Sequence, residues 1–193
     1  TKEIGSRDIL FSLALVPDSG RLYVGSSDFK VYAIDTAADK PEWLAFEGDG
    51  HQSYVTSLVM TAGGLGSGSY DGHLIWWNAD ERKLIRKVPA HDRWIRQLAI
   101  SPDGKTIASV ADDMVCKLWD AESGQEIRKL TDHPAMTPHH YPSMLYAVTF
   151  SPDGHRLATG DKVGHTAIWD ATTGEKIGEV ETPTLYTWDP RER

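Results

Sequence analysis

Apolar side chains recur at alternate positions in short runs broken by turn residues, which is the period of half-buried β-strands. Between residues 95 and 130, Ile95, Leu98 and Ile100 lead into Pro102-Asp103-Gly104, where proline presets φ and glycine accepts a positive φ. Ile107 and Ser109 follow, then an Asp112-Asp113 turn and the run Val115-Cys116-Lys117-Leu118-Trp119. A Ser123-Gly124 turn then precedes Glu126-Ile127-Arg128-Lys129-Leu130. Four strands joined by tight turns make one antiparallel meander. The same pattern along the chain predicts strands at 9–15, 21–26, 30–34 and 43–47; 54–60, 65–69, 73–77 and 83–88; 94–100, 106–110, 115–119 and 126–130; and 145–150, 156–160, 165–169 and 176–181. No helical period competes with this reading.

The meander is a repeating unit. Third strands end alike at 73–79 (HLIWWNA), 115–121 (VCKLWDA) and 165–171 (HTAIWDA), with a weaker version at 30–36 (KVYAIDT). The marker residues Ile34, Trp77, Trp119 and Trp169 lie 43, 42 and 50 residues apart. Upstream of three markers stand the turns Pro17-Asp18-Ser19-Gly20, Pro102-Asp103-Gly104 and Pro152-Asp153-Gly154, and the second unit has Ala62-Gly63-Gly64 in their place. Four phased copies at this period are the signature of a stacked-repeat architecture.

With the Gly50-His51 pair, the Ser-Pro-Asp-Gly turns at 101–104 and 151–154, and the Trp119-Asp120 and Trp169-Asp170 dipeptides, the chain resembles the WD-repeat β-propeller family over residues 7–182. The resemblance implies an all-β propeller fragment of four four-stranded antiparallel blades at 7–48, 49–89, 90–131 and 132–182, followed by a tail at 183–193. It also implies a buried hydrogen-bond relay in each blade. His51, Ser67, Asp71 and Trp77 complete it in the second unit, and His91, Ser109, Asp113 and Trp119 in the third. Ser, His and Asp also compose hydrolytic triads, but a set repeated in two blades reads as structural satisfaction of buried polar groups. Unit one has Asp28 but carries Val24 and Ile34 in place of the hydroxyl and Trp. Unit four has Thr159 and Trp169, with Val163 at the aspartate place and Asp161 nearby. Its histidine is either His140 or His133, the latter displaced by an insertion.

That insertion runs from His133 to Met144 and holds His133, His139 and His140. Imidazoles ligate metals, and a metal-dependent enzyme using this loop is the lowest-ranked functional reading. A proline-stiffened loop without metal, cofactor or catalytic residue is the expectation. Cys116 reads as a small core residue, and the glycine-rich stretch at 63–68 as a turn, since it lacks the Lys-Ser/Thr ending of a phosphate-binding loop.

WD-repeat proteins are platforms, and the family's binding face carries residues from the start of each blade and from the turn after its second strand. The matching positions are Phe11, Ser27 and Phe29; Tyr54, Thr56 and Tyr70; Trp94, Arg96, Asp112 and Met114; and Tyr146. Trp, Tyr and Arg are the types enriched in interface hot spots, so the expectation is a non-catalytic scaffold for a protein or peptide, with Trp94, Tyr70 and Arg96 foremost.

Composition narrows the partners. Lys and Arg number 20 against 28 Asp and Glu, a net charge of −8 that disfavours phosphate backbones, and no apolar run suggests a membrane span. The single cysteine and the absence of a visible signal segment favour the cytoplasm, and a chain beginning with Thr1 suggests a processed or excised piece of something longer. Four blades also pose a closure problem, since propeller blades bury both faces against neighbours. At about 45° per blade, four make half of an eight-bladed ring. A twofold homodimer would complete it, with the tail at Leu185–Asp189 adding a contact, and a longer parent chain is the alternative.

Overall fold

The computed structural model describes residues 8–16, 19–133, 135 and 143–181. His139, His140, the Pro17-Asp18 half of the first turn and the 183–193 tail lie outside the described residues. The strands are β1 (Leu10–Leu15), β2 (Arg21–Ser26), β3 (Val31–Asp35) and β4 (Leu44–Ala45) in blade one, and β5 (Val55–Thr61), β6 (Gly64–Ser69), β7 (His73–Asn78) and β8 (Lys83–Pro89) in blade two. Blade three holds β9 (Ile95–Ile100), β10 (Thr106–Ala111), β11 (Cys116–Asp120) and β12 (Glu126–Leu130), and blade four β13 (Leu145–Phe150), β14 (Arg156–Asp161), β15 (His165–Asp170) and β16 (Lys176–Glu181). Each set of four is its own antiparallel sheet in sequential order. The chain is all-β, built of four propeller blades, and no helix of the described residues is long and apolar enough to cross a membrane. The main departure from the predicted strands is β4, reduced to two residues, with Phe46 N–H still donating to the Val31 carbonyl.

Period-two alternation gives every blade two apolar faces, and three buried cores lie between blades rather than within them. Tyr23, Val31 and Phe46 of blade one meet Leu58, Leu65, Ile75 and Trp77 of blade two. Leu74 and Trp76, on the opposite face of blade two, meet Ile95, Leu98, Ile107 and Trp119. Val110, Cys116, Leu118 and Leu130 of blade three meet Leu145, Val148, Leu157 and Trp169. The register repeats at each interface: Leu65 pairs with Trp77, Ile107 with Trp119 and Leu157 with Trp169. Cys116 is fully buried, and loss of hydration pushes its thiol pKa up, as a core residue requires.

The two outermost faces have only part of this cover, although Val24 and Ile34 of blade one are still buried. On blade one, Leu22 pairs with Ile34 where the other blades pair Leu65, Ile107 and Leu157 with Trp, and Leu13 and Leu15 beside them are 61% and 63% exposed. The opposite face of blade four is lined by Ala147, Ala158, Gly160 and Thr166 along a shallow groove of about 320 Å³. Their counterparts in blade three, Ala108, Val110 and Cys116, are wholly buried. Among the described residues no buried cluster joins blade four to blade one.

The relay appears as the resemblance implies in blades two and three. Trp77 Nε1–H donates to Ser67 Oγ at 2.8 Å, the Ser67 hydroxyl meets His51 Nε2 at 2.7 Å, and His51 Nδ1 faces Asp71 Oδ2 at 3.1 Å. Trp119, Ser109, His91 and Asp113 repeat it at 2.8, 2.7 and 2.8 Å. Each relay ties the entry to a blade to its second and third strands, with every buried donor matched. Blade one has no such chain, and Tyr32 O–H donates to Asp28 there instead.

Ser109→Ala removes the acceptor of the Trp119 indole and the partner of His91 Nε2 together. It is expected to cost at least about 1–3 kcal/mol, read as a lower urea midpoint at unchanged slope in equilibrium unfolding.

Candidate functional site

The rims of the blades between their second and third strands, together with the starts of their first strands, form one surface. Residues far apart in sequence converge there. Phe11 stacks on Tyr54 with centroids 5.2 Å apart and a 21° interplanar angle, and Phe29 leans on the same Tyr54 at 5.9 Å. Tyr54 neighbours Tyr70 at 5.8 Å, and Tyr70 stacks on Trp94 at 4.6 Å and 11°. A continuous aromatic row thus crosses blades one, two and three, each pair contributing about 0.5–1.5 kcal/mol beyond its buried area.

Arg96 organises the far end of the row. Its Nε–H and Nη2–H donate to the two oxygens of Asp112 at 2.6 and 2.7 Å, and Nη1–H donates to the Tyr70 hydroxyl at 2.8 Å. The guanidinium plane also lies 4.9 Å from the Tyr70 ring, 5.2 Å from Trp94 and 4.9 Å from Tyr146. Its Nη2 reaches Met144 Sδ at 3.6 Å, and the Tyr146 hydroxyl meets the same sulfur at 3.7 Å. The bidentate bond to Asp112 raises the Arg96 pKa further, against the opposing effect of partial burial, so the cation is permanent. With its donors engaged, this side chain is a clamp holding three blades' aromatics in fixed poses.

Burial separates the predicted residues into two roles. Trp94, Tyr146, Phe29, Tyr54 and Phe11 are between 39% and 51% exposed and present the open surface. Tyr70, Arg96 and Asp112 are half-buried and hold them. Met114 does not join this surface: it is 8% exposed and packs in the core between blades three and four. Its φ of 63° and that of Phe29, 74°, occupy the turn position filled by Gly72 and Gly164 in the other two blades. A Cβ on Gly72 would approach the His91 carbonyl oxygen to 2.3 Å. Thr56 bridges blades by donating to the Ile95 carbonyl at 2.7 Å, and Ser27 accepts from Ile9 N–H at 3.0 Å. Met144 is the participant that the sequence pattern missed, because it lies at the end of an insertion with no counterpart in the other units.

The relay groups beneath are electrostatically quiet. Burial holds His51 below the ordinary imidazole range despite the neighbouring carboxylate. Burial opposes ionisation of Asp71, but the His51 ring and the backbone N–H groups of Gln52 and His73 outweigh it and hold the carboxyl far below its usual value. Asp113 is lowered by the same balance through His91 and Val115 N–H. In both relays the serine oxygen already accepts the indole N–H, and the imidazole that faces it is buried in packing. Both sets therefore act as struts.

Residues 82–120 and 124–170 match the WD domain, G-beta repeat family. The chain is 27% identical over 177 residues to telomerase protein component 1 of Mus musculus, covering 89% of this chain and 6% of that protein. It is 30% identical over 129 residues to small ribosomal subunit protein RACK1y of Oryza sativa subsp. japonica, covering 64% and 35%. It is 23% identical over 180 residues to the guanine nucleotide-binding protein subunit beta of the same plant, covering 90% and 47%. The chain spans less than half the length of each of these relatives.

Arg96→Lys keeps the charge and removes the planar fork. It is expected to destabilise by about 1–2 kcal/mol through loss of charge-assisted bonds and to raise acrylamide quenching of the Trp94 fraction of fluorescence, measured as the difference from a Trp94→Phe reference.

Proposed function

We propose that this chain, whose residues 82–120 and 124–170 match the WD-repeat family, is a non-catalytic scaffold binding a protein or peptide on the Phe11–Tyr146 surface. The observation carrying this reading is the fixed aromatic row itself. Five exposed rings drawn from all four blades are held in place by stacking and by the Arg96 clamp. Rigid aromatic area binds at low entropic cost, and isolated exposed apolar groups would not be so organised. Trp94 is the leading contact, while Tyr70 and Arg96 act mainly by positioning it. The net charge of −8 further favours protein ligands over nucleic acid.

We further propose that two copies complete one eight-bladed ring. The pairing Leu13–Val24 and Leu15–Leu22 on blade one matches Val148–Thr159 and Phe150–Leu157 on blade four. The latter set rests on Ala108, Val110, Cys116 and Leu118 of blade three. By that analogy Leu13 and Leu15 of one copy fit the Ala158, Gly160, Thr166 and Ile168 face of the other. Head-to-tail contact of this kind closes when the rotation does.

Two measurements test these readings separately. Light scattering at micromolar concentration is expected to give twice the 21.4 kDa chain mass, reverting to one chain mass in Leu13→Asp; a monomer throughout defeats the dimer and points to blades supplied by another chain. In affinity capture, partners are expected to be lost from Trp94→Ala and retained by Ile127→Ala, which alters an exposed residue of β12. Partners retained by both variants would move the binding site elsewhere.

A further inference from the structure

Blade four carries an altered relay whose polar atoms do not satisfy one another. His133 Nε2 meets Thr159 Oγ1 at 2.6 Å, and Trp169 Nε1–H donates to the same oxygen at 2.7 Å, so His133 is the relay histidine. The carboxylate, however, comes from Asp161, two residues ahead of Val163. It lies 3.9 Å from His133 Nδ1, beyond hydrogen-bonding reach. His165 completes the group, its ring edge-on to His133 with centroids 5.3 Å apart.

His133 Nδ1, Asp161 Oδ2 and His165 Nδ1 are all buried without a hydrogen-bond partner. The three residues' ligand atoms lie within 4.8 Å of one another. The side chains of His133 and Asp161 are 0% exposed and that of His165 16%. Orphaned polar atoms at such depth are costly, and three of them converging on one point call for a shared partner.

Blade two supplies an internal control. It has the same three residue types at His51, Asp71 and His73, with His73 at the position corresponding to His165. There the carboxylate bonds His51 Nδ1 directly at 3.1 Å, and His73 Nδ1 bonds the Asp71 carbonyl at 3.0 Å. That set is closed by its own hydrogen bonds. The set in blade four is not.

We propose that His133 Nδ1, Asp161 Oδ2 and His165 Nδ1 form a binding site for a divalent transition metal of the zinc class. Two imidazole nitrogens and one carboxylate oxygen are a borderline donor set that suits zinc over calcium or magnesium. Bonds of about 2.0–2.1 Å require the donors to draw in by roughly an ångström from their present spacing.

The surrounding groups already orient them. Asp161 Oδ1 accepts Val163 N–H and His165 N–H, each at 3.0 Å, which leaves Oδ2 for the metal. In the proposed site His165 carries its proton on Nε2, where Glu179 Oε1, also paired with Lys176, lies 3.4 Å away, and Nδ1 offers its lone pair to the metal. Thr159 Oγ1 holds the same place beside His133 Nε2. Such outer partners are what metal-bound histidines have. The ion would tie the entry to blade four to its second and third strands, the work that direct hydrogen bonds do in blades two and three.

The test uses the full chain, stripped with chelator, titrated with Zn²⁺ by calorimetry and with Co²⁺ by visible absorption. One ion per chain, the d–d bands of a low-coordinate Co²⁺ site and a raised melting temperature are expected. His165→Gln and Asp161→Asn, the latter keeping an oxygen for the backbone bonds, should each weaken binding at least tenfold. His139→Ala/His140→Ala should leave it unchanged, and far-ultraviolet circular dichroism verifies folding of every variant. Absence of binding by the folded chain overturns the proposal, as does binding that survives Asp161→Asn and His165→Gln but vanishes in the His139/His140 variant.

Discussion

A blade of this chain has two apolar faces and, among the described residues, no helix to cover either, so it is stable only between neighbours. That constraint accounts for where the cores lie. None is contained in a single sheet: Trp77, Trp119 and Trp169 each pack toward the preceding blade, while Leu74, Cys116 and their neighbours pack toward the next. It also accounts for the contrast between interior and terminal surfaces. A position that is fully buried at Ala108 is only half-buried at Ala158, and the leucine that corresponds to buried Val148 is exposed at Leu13. The substitution of Ile34 for tryptophan fits a face whose neighbour differs from the internal ones.

Within each interface a second demand arises, since strands brought this close trap polar groups. Blades two and three meet it with a chain from indole to carboxylate, whose links are all at hydrogen-bond length. Blade one abandons the chain, replacing the hydroxyl with Val24, which needs no partner, and giving Asp28 to Tyr32. Blade four keeps the hydroxyl and the indole but shifts the carboxylate along the chain, which leaves atoms that hydrogen bonds within the blade do not reach. The same problem has three solutions in one molecule, and the fourth blade's is the one that leaves room for a bound ion.

Much of this was legible in the sequence because it is local. Strand period, Pro-Asp-Gly turns and the Trp markers act over a few residues, and they located all sixteen strands to within a few positions. The relays of blades two and three were legible because hydroxyl, carboxylate and indole keep a fixed spacing, with a histidine 16 or 18 residues before the hydroxyl. In blade four the spacing fails twice, at the insertion and at Asp161, so its relay histidine stayed undecided between His133 and His140. Met114 was misplaced because its position in the turn matches that of exposed Phe29 in blade one. The glycines at the matching positions in blades two and four mark a left-handed turn, whose side chain the next blade covers. Arg96 was identified, but its role was not: its partners Tyr70, Asp112 and the neighbouring pair Met144 and Tyr146 come from three separate segments, and only the stacked blades bring them to one guanidinium.

The proposed binding surface therefore inherits its geometry from the cores below it. Phe11, Tyr54, Trp94 and Tyr146 stand on the first strands of successive blades or just before them, and the spacing of these strands is fixed by close-packed interiors that deform little. A surface so mounted offers rigid area rather than an adaptable loop. In the proposed ring its placement has a consequence for affinity. Head-to-tail closure puts the twofold axis along the propeller axis, so the two copies present their aromatic rows on the same side of one disc. A partner with two matching segments would then bind its second one intramolecularly, and avidity could exceed single-site affinity by about 10²–10⁴ without any new contact. The need to cover two apolar blade faces and the pairing of two binding surfaces would be met by a single act of assembly.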